Sequence, residues 1–287
     1  MTGPGATPPG PLEVHREGPV LVMTLNRPAK RNALNQELSD ALSAALDRLD
    51  DDPSLHVGVI AGNGPVFCAG TDLTSMSGPR TDRGGEYGLI RRTRATPLIA
   101  AVDGPALGGG FELVLACDLV VASEAARFGL PEVARGLVPT CAGLFRAPDR
   151  LPANLATELA LTGDPIGAAR AHQVGLVNVL TEPGAAREGA LALAARIDRN
   201  SPDTVSASLR AVHDARGPAE AVGWTATELA IGRMQASRTR ARASPRSSSD
   251  GRHAGRAERP GRAQVVVPEP GRAAVTARSA SSAPAPS

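Results

Sequence analysis

The stretch Ala106 to Leu119, ALGGGFELVLACDL, sets a glutamate inside an apolar run behind three glycines. A carboxylate in such surroundings is costly unless it is protonated or hydrogen-bonded, so Glu112 needs a reason to be there. If GGGFELVLACD opens a helix, the amides near Gly109 have no partner within it and lie at the positive end of its dipole. They can donate to an anion, and glycine lets a ligand approach that backbone closely. Glu112, three residues on from Gly109, falls on the same helix face. Glu132 follows Pro131 in FGLPEVARG, and the turn FCAGTDL offers a second amide, that of Thr71. Two backbone donors with two carboxylates suit a reaction that builds negative charge on a carbonyl oxygen while a proton moves at the neighbouring carbons. The competing reading of Glu112 is a helix-terminal acid favoured by the dipole alone; for Glu132 it is an ordinary loop glutamate. Asp72 reads as an N-cap or turn residue.

These residues need a frame. GPVLVMTLN (residues 18–26) has strand composition, and RPAKRNALNQ behind it is a polar turn. Leu38, Leu42, Ala45 and Leu49 mark one face of an amphipathic helix that ends at DDDP. VGVIAG and PLIAAVDG read as buried strands, DLVVAS and ARFGL as further ones, and residues 80–95 as a mobile helix and loop. From Asn154 to about Met234 the pattern is helical, interrupted by GLVNVL. Strands alternate with helices, then helices take over, which predicts an α/β fold with a helical C-terminal region. The expected organisation is a disordered Pro/Gly-rich segment 1–11, a core carrying the site at 12–153, a helical region at 154–237 and a disordered basic tail at 238–287.

At 287 residues and 42% hydrophobic the chain can bury a sizeable core, and its apolar runs are too short to span a membrane. The opening MTGPGATPPGPLEV has no basic and apolar leader pattern, and Cys68, Cys117 and Cys141 are too scattered for a disulfide framework or a zinc site; a cytoplasmic protein is expected. The three cysteines read as small core residues, and His56 and His172 as structural or surface residues. The net charge of +2 is an average: ten arginines against three acids give the tail +7, while 21 basic against 26 acidic residues give the rest −5. A nucleic-acid binder acting through the tail is one rival reading, but four Phe, one Tyr and one Trp offer no stacking platform, so no nucleic-acid and no membrane partner is expected.

PAKRNAL, FCAGTDL, GPALGGGFELVLACDLVVAS and ARFGLPEVARGLVP, in this order and spacing, resemble the crotonase superfamily and within it the enoyl-CoA hydratase/isomerase proteins, over roughly residues 12–237. The resemblance implies a crotonase-like spiral of ββα repeats, assembly into trimers or hexamers through the helical region, and an acyl-CoA substrate with no cofactor beyond the CoA thioester itself. It implies an oxyanion hole at the amides of Thr71 and Gly109, with Glu112 as base and Glu132 as acid in adding water to an enoyl thioester. Lys30 and Arg31 would then meet the CoA phosphates and Ala33 the adenine, with Ala69, Asp72 and Leu73 also against the substrate. Double-bond isomerisation, dehydration of a hydroxyacyl-CoA, and a non-catalytic acyl-CoA-binding homologue are the alternatives. Two features depart from the family. PTCAGLF keeps Gly143 without the paired glycine before it, which should disturb the fit around Glu132. The chain also does not end in a family-like Glu-Gly-x-x-Ala-Phe segment.

Shifting the frame of SRTRARASPRSSS (residues 237–249) by one nucleotide permits EDAREGLAAFVE, a family-like ending, so the tail is read as a frameshifted translation. Resequencing the locus checks this: codons that allow the shifted peptide are expected, and codons incompatible with it would sink the idea.

Overall fold

The computed structural model describes residues 10–72, 74 and 78–237. The segment 1–9, the residues 73 and 75–77, and the tail from 238 lie outside the described residues. Strands β1 (Leu12–Glu17) and β2 (Val20–Leu25) form a hairpin that turns at Gly18 with a φ of +59°. A 3-10 turn at Pro28–Lys30 leads to helix α1 (Gln36–Asp51) and strand β3 (Val57–Gly62). The Asn35 side chain caps α1 by accepting from the Leu38 amide at 3.0 Å, and Leu38, Leu42, Ala45 and Leu49 are all buried.

A small hairpin, β4 (Arg80–Thr81) and β5 (Gly85–Glu86), precedes two similar units. The first is β6 (Leu98–Val102), β7 (Pro105–Leu107) and α2 (Gly109–Ala116). The second is β8 (Leu119–Ser123) and β9 (Arg127–Gly129), a 3-10 turn at Pro131–Arg135, and α3 (Gly143–Arg150). Each unit gives a longer strand to a six-stranded sheet ordered β1-β2-β3-β6-β8 and then β11 (Val179–Thr181), and a short one to a second sheet, then a helix. This is the ββα spiral. The chain continues through α4 (Ala153–Thr162), β10 (Ile166–Gly167), α5 (Ala168–Gln173), β11 (Val179–Thr181) and α6 (Ala186–Asp198) to the long α7 (Pro202–Ala236).

Beyond the first hairpin the large sheet is parallel, and both its faces are covered, which explains its unbroken apolar strands. Side chains alternate by face. Val20, Val22, Val57, Val59, Ile99 and Val121 pack on one side against Ala186, Ala190 and Ala194, spaced four apart on α6. Leu21, Met23, Leu25, Ile60, Leu98 and Val120 join the larger core on the other side with α1 and α2.

Residues 80–95 correct the expected helix. Gly85, Tyr87 and Gly88 have φ values of +64°, +58° and +77°, and this left-handed backbone turns the chain where a helix would need right-handed residues. Strand β1 also went unanticipated.

The far end of α2 is locked by a buried ion pair. Arg94 donates twice to Asp118, at 2.7 and 3.0 Å, and to the carbonyls of Thr96 and Ala116 at 3.1 and 3.0 Å. Asp118 also accepts from the Leu98 amide at 2.8 Å, and its Oδ1 lies 2.8 Å from His213 Nε2. The pair thereby ties the C-terminal end of α2 to the starts of β6 and β8. Burial raises the Asp118 carboxyl, but the Arg94 charge and the hydrogen bonds outweigh it and hold the group well below the usual carboxylate range. Asp118→Ala should cost about 3–5 kcal/mol in urea unfolding at pH 7, because it strands the Arg94 charge. A variant that replaces both side chains with leucine and methionine should cost less than the single change; a single-variant cost below about 1 kcal/mol would refute the clamp.

Candidate active site

Two glycine-rich turns meet because their backbones pair. Leu107 donates to the Cys68 carbonyl at 3.0 Å and Cys68 to the Pro105 carbonyl at 3.2 Å, extending the small sheet by one bridge. A Cβ on Gly70, whose φ is +96°, would stand 3.1 Å from the Gly109 nitrogen, so the turn that carries Thr71 lies directly on the start of α2. Among the described residues neither the Thr71 nor the Gly109 amide has an acceptor.

Each of the three glycines faces a different group. A Cβ on Gly108, whose φ is +55°, would sit 3.1 Å from Glu132 Oε1; on Gly109 it would run into the Tyr87 hydroxyl; on Gly110 it would strike the Cys68 carbonyl. The run is required by three close approaches at once.

Glu112 is 2% exposed. Its Oε1 accepts from the amides of Cys141 at 2.7 Å and Gly143 at 2.9 Å, and Gly143 opens α3. The carboxylate therefore lies at the N-terminal ends of two helices, its own and α3, where both dipoles favour negative charge. Ala142, between the two donors, has a φ of +78°, and that left-handed kink turns both amides onto one oxygen. Ala142 stands where the paired glycine was missed in the sequence. The departure therefore bears on the support of Glu112, not on Glu132 as expected.

Glu132 follows Pro131 on the 3-10 turn, and its Oε2 is buried with no hydrogen-bond partner among the described residues. Burial, with the Glu132 charge beside it, pushes the Glu112 carboxyl up to about 8 against the pull of its two amide bonds. Burial raises Glu132 to about 7. Both carboxyls therefore titrate near neutral pH, and the charge of Glu132 acts on Glu112.

On the other side of Thr71 runs the segment from Lys30 to Leu34. Ala69 donates to the Arg31 carbonyl at 3.0 Å, Leu34 to Gly70 at 2.8 Å and Asp72 to Leu34 at 2.9 Å. Lys30 and Arg31 are exposed, and Ala33 and Ala69 are partly so. The Asp72 carboxylate is committed: it accepts from the Thr74 amide and hydroxyl at 3.2 and 2.8 Å and from Arg27 at 3.0 Å, which is its turn reading. Leu73 lies outside the described residues.

Sequence reasoning missed Asn32, Tyr87, Cys141 and Ala142. Buried Asn32 donates to the carbonyls of Asn63 and Val66 at 2.9 and 2.8 Å and accepts from the Arg27 amide, bracing the turn below Ala33. The Cys141 thiol is a core group as expected, yet its amide holds Glu112. Among the described residues the four non-glycine residues with left-handed backbone are Arg31, Asn32, Tyr87 and Ala142, and all of them line these turns. Strain of this kind gathers at functional sites. His56 and His172 are structural, pairing with Asp198 at 2.6 Å and the Val177 carbonyl at 2.9 Å. No three His, Cys, Asp or Glu side chains that could hold a metal come together among the described residues.

The spiral of repeats and the turns it brings together define a crotonase-fold protein. The chain belongs to the enoyl-CoA hydratase/isomerase family, whose model matches residues 15–243. It is 41% identical over 206 residues to mevalonyl-coenzyme A hydratase of Aspergillus fumigatus, covering 68% of this chain and 74% of that protein. It is 42% identical over 210 residues to 2,3-dehydroadipyl-CoA hydratase of Escherichia coli, covering 71% and 82%. The solved structure of carnitinyl-CoA hydratase from Mycobacterium avium superposes with a TM-score of 0.75 at 39% identity, over 81% of this chain and 93% of that one.

Because both carboxyls titrate higher in the folded chain than the usual 4.5, the folded state binds more protons between about pH 4.5 and 8, and stability must fall as pH rises through that window. Thermal melting from pH 5 to 8.5 should show this decline. Glu112→Gln should flatten it; an identical pH slope in the variant would refute the burial account.

Proposed function

We propose that this chain is an enoyl-CoA hydratase that adds water across the 2,3 double bond of an enoyl-CoA thioester. The observation that carries the reading is the buried Glu112 with the Glu132 carboxylate, its Oε2 buried, against the glycine run, beside two amides with no acceptor among the described residues. Water attacks C3 while Glu112 takes its proton. The π electrons move toward C1, and the thioester oxygen gains negative charge between the amides of Thr71 and Gly109. Glu132 then delivers its proton to C2, so that hydroxide and proton have been added in sum. A donor of this kind contributes about 3 kcal/mol to lowering the barrier.

Burial brings both glutamates near neutrality, so their acidities do not separate the roles; their hydrogen bonds do. Two amides stabilise the anion of Glu112 and leave its Oε2 to act as base. Among the described residues Glu132 Oε2 has no donor, which suits the acid. Lys30 and Arg31 offer cations to the CoA phosphates, and Ala33 and Ala69 border the adenine and pantetheine side. The thioester supplies the activation, so neither a metal nor a redox cofactor is called for. Dehydration of a hydroxyacyl-CoA is the same path reversed, and carnitinyl-CoA dehydratase of Salmonella typhi, at 39% identity, favours it as a second reading. Assembly into trimers or hexamers through the helical region is consistent with the exposed Val212, Val222 and Leu229 on α7. We place the enzyme in the cytoplasm; no helix among the described residues is long and apolar enough to cross a membrane.

The test is the loss of conjugated enoyl-thioester absorbance with crotonyl-CoA and a longer enoyl-CoA. Glu112→Gln and Glu132→Gln should each lower kcat by roughly 10²–10⁴-fold, the range of general acid–base catalysis. The wild-type rate should peak near neutral pH, where the pair holds one proton. A silent wild type that still binds CoA thioesters by calorimetry would point to a non-catalytic homologue.

A further inference from the structure

Tyr87 is the chain's one tyrosine, and it is 3% exposed. Its hydroxyl lies 2.7 Å from Thr71 Oγ1, and a Cβ on Gly109 would stand 2.8 Å from its Cζ. The end of the ring therefore touches both residues whose amides open into the site. The segment is clamped to keep it there. Tyr87 donates its amide to the Pro79 carbonyl at 3.0 Å, and the preceding Glu86 is held by Arg80 at 2.7 Å and Arg91 at 3.1 Å. Gln36 of α1 donates to the Arg80 carbonyl at 2.7 Å, and a Cβ on Gly88 would come within 2.6 Å of the Ser39 carbonyl. The left-handed φ of +58° at Tyr87 is sustained by these contacts, which swing its ring inward.

The two hydroxyls hold two protons between them. One is used in the bond that joins them, and one is left over. The neighbour recorded for it is the Cys141 thiol, a weak acceptor. Burial above all, then the Cys141 and Glu112 charges, push the phenol well above its usual value of 10, so it is a neutral O–H donor at every working pH.

We propose that the Tyr87 hydroxyl is a third hydrogen-bond donor to the thioester oxygen, beside the Thr71 and Gly109 amides, with the Thr71 hydroxyl donating to Tyr87 in turn. The relay runs Thr71 O–H to Tyr87 O–H to the thioester oxygen, and each bond polarises the next as that oxygen gains charge. No covalent step is involved. Threonine at position 71 thereby has a task for its side chain besides the one assigned to its amide. The inference rests on the oxyanion hole proposed above and makes Tyr87 a catalytic residue of the same reaction.

Two readouts test it. With crotonyl-CoA, Tyr87→Phe keeps the ring against Gly109 and removes only the hydroxyl; kcat should fall roughly 10- to 100-fold, somewhat less than for an amide donor, with KM little changed. Thr71→Ala, which keeps the amide, should lower kcat by a smaller factor, and Thr71→Ser should restore it. With butyryl-CoA, which has no double bond to hydrate, the carbonyl stretch of the bound thioester should lie at lower frequency in wild type than in Tyr87→Phe. Equal carbonyl frequencies would overturn the inference, as would a Tyr87→Phe kcat equal to or above that of an active wild type, the result expected if the phenol merely plugs the hole. A wild type that shows the carbonyl shift but hydrates nothing would refute the hydration reading and leave this donor standing.

Discussion

The buried carboxylate of Glu112 is the constraint around which the rest of the site is arranged. Taken out of water, it must find replacement donors or give up its charge. The protein supplies two amides from the start of α3 and two helix dipoles. That solution demands a left-handed residue at Ala142 and a close approach of α3 to α2; against it work burial and the charge of neighbouring Glu132, which leave the carboxyl near neutral pH.

Close approach is the second requirement. An amide is useful as a donor to a substrate only when nothing in the protein uses it, yet unpaired amides are normally avoided inside a fold. Here the Leu34–Thr71 bridge takes the Gly70 carbonyl and the Asp72 amide, the Gly108 amide goes to the Gly129 carbonyl, and among the described residues the amides of Thr71 and Gly109 are left over. The glycines are what allow three backbones, a phenol and a carboxylate to share that space.

A site so dense in costly features needs a stiff support. The large sheet is buried on both faces, and the Arg94–Asp118 pair joins the far end of α2 to two of its strands. The near end of α2 is thus aimed by a clamp beneath Ala116, four residues beyond Glu112.

Residue type and spacing alone determined the α/β order, the amphipathic face of α1, the buried strands and the glycine run, and they singled out Glu112 and Glu132 as candidates for chemistry. Those features are local, repeating with the period of a helix or strand or lying within a few residues of one another. Tertiary structure decided the rest. Tyr87 meets Thr71 across 16 residues, Glu112 meets the Gly143 amide across 31, and Arg94 meets Asp118 across 24. No periodicity announces such pairs, and the left-handed turns at Tyr87 and Ala142 run against the preferences of their own side chains. They persist because packing elsewhere overrides local preference, and that balance exists only once the distant segments have met.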